Sequence, residues 1–167
     1  LGETAAARDL LEQALQIDAG EAMAHYFLGL HERNMGRLEK AQEAFGQALR
    51  LDPENAAFHV EMAETFLLLG DYEQAEEWYQ AAADLGEDHI DFSLLLTRFY
   101  LDHLYRVEEK GLPAAQSTVA LAPENAQAHD LLGWAHYLAG SPLDAQQSLA
   151  TALSLDPYLV SAHYHLG

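Results

Sequence analysis

The chain has 167 residues, half of them hydrophobic, and carries 8 Lys+Arg against 27 Asp+Glu for a net charge of −19. Such a surplus of negative charge repels phosphate backbones and anionic lipid, which argues against nucleic acid and membrane surfaces as partners. With no cysteine there is no disulfide, thiolate metal site or thiol nucleophile.

No apolar run approaches the ~18 residues of a membrane span. Leu1-Gly2-Glu3-Thr4 has neither the positive patch nor the apolar stretch of a secretion signal. The compartment is left open, with the cytoplasm favoured.

In chain order, Ala7, Leu11 and Ala14 mark a helix from Thr4 to Ile17. Ala24-His25-Tyr26-Phe27-Leu28-Gly29 then opens a helix–turn–helix, with Gly36 at the turn and Ala41, Phe45 and Ala48 along the second helix. Residues 56–89 repeat it through Phe58-His59, Met62-Ala63, Phe66, Gly70, Ala75, Tyr79 and Ala82, but with Glu87 where the first unit has Pro53. Asp71, with Gln74 three residues on, reads as the start of a second helix.

Residues 90–125 fit the pattern poorly. Thr97 replaces the small residue and Leu104 sits where the turn glycine belongs. Apolar residues continue at helical spacing to Val107, and Gly111 and Pro113 read as a stop. The spacing therefore predicts an elongated first helix to about Glu109 and a shortened second helix from Pro113 to Leu121.

Residues 126–159 return to pattern with Ala128-His129-Asp130-Leu131-Leu132-Gly133, Gly140, Ala145, Leu149, Ala152 and Pro157. Ser141-Pro142 supplies an N-cap and a first-turn proline, with Asp144 in the box. Ala162-His163-Tyr164-His165-Leu166-Gly167 begins the motif once more. Asp52-Pro53, Ala122-Pro123 and Asp156-Pro157 end second helices, because the residue before proline avoids the α region. His25, His59, His129 and His163 lie 34, 70 and 34 residues apart, and 70 is two periods plus two. A fixed period of this size means stacked repeats.

This pattern resembles the tetratricopeptide repeat family, whose helix–turn–helix unit carries W-x2-L-G-x2-Y, then A-x3-F, then P. The resemblance spans residues 1–167 as a single array: 1–21 as the second helix of a partial repeat, 22–55, 56–89, 90–125 (atypical) and 126–159 as repeats, and 160–167 as the start of another. It implies an all-α fold, an α-solenoid of at least nine helices in antiparallel pairs, wound as a right-handed superhelix without strands. One slot departs from the family, since histidine stands where tryptophan is usual. Equivalent histidines fall about 10 Å apart by ordinary helix spacing, too far to share a metal. Each is expected to play a structural part, with a ring nitrogen hydrogen-bonded inside its hairpin.

Chemistry is sparse. There is no phosphate loop, His-Glu-x-x-His or calcium-loop spacing, so neither catalysis, a cofactor nor a metal is expected. The resemblance implies instead that the first helices line a concave groove for an extended peptide or helix of a partner protein. Its lining is Tyr26, Leu30 and Arg33, then Val60 and Glu64, then Asp91, Leu94 and Arg98, then Asp130, Trp134 and Tyr137. Met23, Leu67, Leu68, Leu101, Leu138 and Tyr164 lie alongside. Aromatic anchors with negative charge suit a partner of net positive charge. The clamp of Lys, Asn and Arg with which some family members hold chaperone tails is missing, because those slots hold Tyr26, Leu30, Glu61, Asp91 and Leu95. The alternative is a structural spacer or self-associating segment of a larger repeat protein, joined end to end through Tyr164 and Leu166.

Overall fold

The computed structural model describes residues 2–86 and 89–167. Glu87 and the side chain of Ala7 lie outside the described residues. The helices are α1 (Gly2–Ile17), α2 (Ala22–Asn34), α3 (Leu38–Leu51), α4 (Ala56–Leu68), α5 (Tyr72–Leu85), α6 (Ile90–Asp102), a π-helical turn (Val107–Gly111), α7 (Leu112–Leu121), α8 (Ala126–Leu138), α9 (Pro142–Leu155) and α10 (Val160–Leu166). No strand occurs among the described residues, and the chain is an all-α solenoid of helix pairs. It forms two compact units, Leu1–Leu85 and Gly86–Gly167.

In the first unit α2 pairs with α3 and α4 with α5, and α1 packs on α2. The turns between paired helices are glycine stops. Gly36 (φ 72°) and Gly70 (φ 77°) take the left-handed conformation that other residues avoid. The following amide in each case reaches back five residues, Arg37 N–H to Glu32 and Asp71 N–H to Phe66, at 2.9 and 3.0 Å. Asp71 then caps α5 by accepting from the Gln74 N–H at 3.1 Å. The core of this unit gathers Ala41, Phe45, Ala48, Leu49, Phe58 and Met62.

The second unit repeats the scheme with α8 and α9 around Gly140 (φ 77°). Pro142 opens α9, although the Ser141 side chain makes no cap bond. A second core joins Leu94, Leu101, Ala115, Ala128, Leu131 and Ala135.

Close approach explains the small residue of the motif. A methyl group on Gly29 would sit 2.5 Å from the Phe45 ring, and one on Gly133 would sit 2.6 Å from Leu149. In the atypical repeat hydrogen bonding replaces that fit, since the buried Thr97 and Thr118 hydroxyls meet at 3.0 Å.

The atypical repeat corrects two expectations. Its first helix is not elongated: α6 ends at Asp102, at the same length as α2, α4 and α8. Leu104 (φ 50°) adopts the left-handed turn conformation that glycine takes elsewhere, and the Tyr105 N–H closes the same five-residue bond to Tyr100 at 2.9 Å. Ring contacts pull the chain into that turn, with Tyr105 centred 5.5 Å from Phe99. Nor is Gly111 a stop. It is helical (φ −62°) and buried, and a side chain there would meet Tyr100 Cβ at 3.1 Å. The residues added to this repeat are taken up by the π turn, where the Gly111 N–H bonds to the Arg106 carbonyl at 3.2 Å.

The periodic histidines are structural, but each bonds to a carbonyl that precedes its hairpin. His25, His129 and His163 place Nε2 at 3.2, 2.8 and 2.9 Å from the carbonyls of Ala19, Pro123 and Pro157, each six residues back. They pin the loop before the first helix. His59 differs, with Nδ1 at 3.1 Å from the Asn55 carbonyl.

Candidate functional site

Each unit presents its own face of first helices. In the first unit that face is built on α2 and α4. Tyr26 stacks on Phe58 at 5.2 Å and donates from its hydroxyl to Glu61 Oε1 at 3.3 Å. Arg33 pairs with Glu61 Oε2 at 2.6 Å and lies 5.9 Å above the Phe45 ring. Glu61 is therefore neutralised within the unit. Glu64 is held differently, its Oε1 accepting from the buried Tyr79 hydroxyl at 2.6 Å. Burial, then the bond to Glu64 and its charge, push the Tyr79 phenol up. Burial, then the Glu61 charge, do the same to Tyr26. Leu30 and Val60 are half-buried, while Met23 and Leu68 stay exposed.

In the second unit Trp134 stacks with Tyr137 at 5.3 Å and with His165 at 4.6 Å, both nearly parallel at 11°. Asp130 is buried and accepts from His165 Nδ1 at 2.8 Å. Leu94 is a core residue. Leu94 and Asp130 thus support this face from beneath, whereas Tyr137 is exposed and Trp134 half-buried. Asp91 and Arg98 are exposed on α6.

Two residues that the sequence reading left out of the groove, Glu61 and His165, organise these faces. Tyr26 and Glu61 are 35 residues apart, and so are Asp130 and His165. In each pair a first-helix residue meets the neighbour of its own equivalent one 34-residue period later. That spacing, rather than residue type, was the available signal.

A protein-family model for the tetratricopeptide repeat matches residues 28–90. Within those residues the chain carries tetratricopeptide repeats. Solved structures share the repeat fold along most of the chain. A crystal structure of MamA is 19% identical, with 93% of this chain and 90% of that one covered, at a TM-score of 0.76. MamA residues 41 to the end from Desulfovibrio magneticus RS-1 are 21% identical over 95% and 89% of the two chains, with a TM-score of 0.75. YrrB, described as a tetratricopeptide repeat protein with an unusual peptide-binding site, is 20% identical over 98% and 83%, with a TM-score of 0.74. At such identities the likeness speaks to fold alone. No curated protein matches the chain in sequence. No described helix is long and apolar enough to cross a membrane.

Proposed function

We propose that these tetratricopeptide repeats form a non-enzymatic protein–protein interaction scaffold, holding a peptide or helix of a partner against the first-helix faces. The supporting observation is the Tyr137–Trp134–His165 stack. It leaves Tyr137 57% exposed on a rigid aromatic surface, the kind of anchor that dominates binding energy. YrrB, with the same fold, is described as having a peptide-binding site. The net charge of −19 favours a basic partner.

Partners captured by pulldown are then titrated against variants. Trp134→Ala is expected to weaken binding by about 2 kcal/mol or more. Trp78→Ala, on the second helix α5, is expected to leave it unchanged. The opposite pattern removes the first-helix face from consideration.

A second reading, self-association, is supported by the exposed apolar residues Tyr158, Val160, Tyr164 and Leu166 at α10. Packing against α1 of another copy would cover them. Sedimentation should then show mass rising with concentration and falling back on Tyr164→Glu. A strict monomer at high concentration dismisses it.

A further inference from the structure

We infer that Glu64 is the charge-reading residue of the first unit's face, that it takes a lysine or arginine side chain of the partner segment, and that Tyr79 is its positioning residue. The inference rests on the proposed use of the first-helix face. Two carboxylates lie on this part of α4, and the structure treats them differently. Glu61 is committed on both oxygens, one to the Tyr26 hydroxyl and one to the Arg33 guanidinium. No ion pair among the described residues includes Glu64. Arg33, the cation on this face, is already paired with Glu61.

Tyr79 supplies the preorganisation. It rises from α5, is 3% exposed, and holds Glu64 Oε1 at 2.6 Å. A buried hydroxyl fixing one oxygen sets the carboxylate's orientation without neutralising it, and Oε2 has no hydrogen-bond partner among the described residues. The surroundings suit a cation on an apolar stem. Val60, Leu67 and Leu68 stand at i−4, i+3 and i+4 from Glu64 on the same helix, so they border the carboxylate. Leu68 is exposed. Apolar neighbours pack the methylene stem of lysine or arginine and exclude water from the ion pair. The chain's charge of −19 adds attraction at longer range.

The test uses fluorescein-labelled heptapeptides of sequence Leu-Gln-Leu-X-Leu-Gln-Leu, with X as Lys, Arg, Gln or Glu, titrated by polarisation against the whole chain. The Lys and Arg peptides are expected to bind about tenfold tighter than the Gln peptide, the scale of one charge-assisted hydrogen bond, and the Glu peptide weakest. Glu64→Gln, which still accepts from the Tyr79 hydroxyl and so keeps the packing, should erase the preference. Tyr79→Phe should shrink it while leaving the affinity for the Gln peptide unchanged. That separates positioning from a general structural effect. If all four peptides bind alike while the captured partners still lose affinity on Trp134→Ala, the first-helix reading stands and the Glu64 inference falls. A Lys preference that survives Glu64→Gln also overturns it. If none of the peptides binds, the inference fails, and the first-helix reading fails with it when the captured partners also ignore Trp134→Ala.

Discussion

Phe45→Ala is expected to lower the unfolding free energy by about 3–5 kcal/mol, the usual range for emptying a fully packed aromatic site. Phe45 is completely buried, among Ala41, Ala48, Leu49, Phe58 and Met62. Its ring fills the notch left by Gly29, where an added Cβ would meet it at 2.5, 2.6 and 2.9 Å. The backbones of α2 and α3 are too close to collapse further into the hole. The same contact predicts the reverse experiment. Gly29→Ala overpacks the notch at a cost of about 1–3 kcal/mol. Combining it with Phe45→Leu, which trims the ring, should cost less than the two changes summed, because residues in contact couple. Chemical denaturation of the four species measures this directly. Strict additivity would show that Gly29 and Phe45 do not share the space the structure gives them.

That contact also explains why so much of the fold was legible. Wherever two paired helices touch, one of them must be nearly bare, so Gly29, Ala63 and Gly133 recur one or more periods apart and announce the stacking. Gly36, Gly70 and Gly140 mark the turns for an equally local reason, their left-handed backbone. Legibility ended where tertiary contacts overrode local preference. Leucine normally resists a left-handed φ, at a cost of roughly 1–2 kcal/mol. Nothing in the pattern around Leu104 shows that Tyr105 packs on Phe99 and Tyr100 and imposes the turn. Gly111 looked like punctuation but serves close approach to Tyr100. Leu132, in the motif's leucine slot, is only half-buried, while its neighbour Leu131 is in the core. For the candidate faces, register places a residue on a helix side but does not choose its hydrogen-bond partner. The period hints at Glu61 and His165, but the bonds they and Tyr79 make are set by three-dimensional pairing.

His165→Ala is the other substitution expected to have a large effect. His165 does two things for α8. It donates to Asp130, whose side chain is 5% exposed, and it stacks on Trp134 at 4.6 Å. Removing the imidazole leaves a buried carboxylate without its counter-group, a change that typically costs 3–5 kcal/mol. The loss should fall at the low end, about 3 kcal/mol, because α10 has only seven residues and can lift to let water reach Asp130. Lifting is itself observable. Amide exchange should accelerate through α10 and the adjoining turn of α8 while α2 to α5 keep their protection. Trp134 emission should shift as its stacked partner disappears. Asp130→Asn offers the contrast: it retains an acceptor for His165 and creates no buried charge, so its cost should be smaller. If His165→Ala and Asp130→Asn are equally mild and α10 exchanges as before, the imidazole is not what fastens α10 to α8, and the aromatic surface around Trp134 does not depend on it.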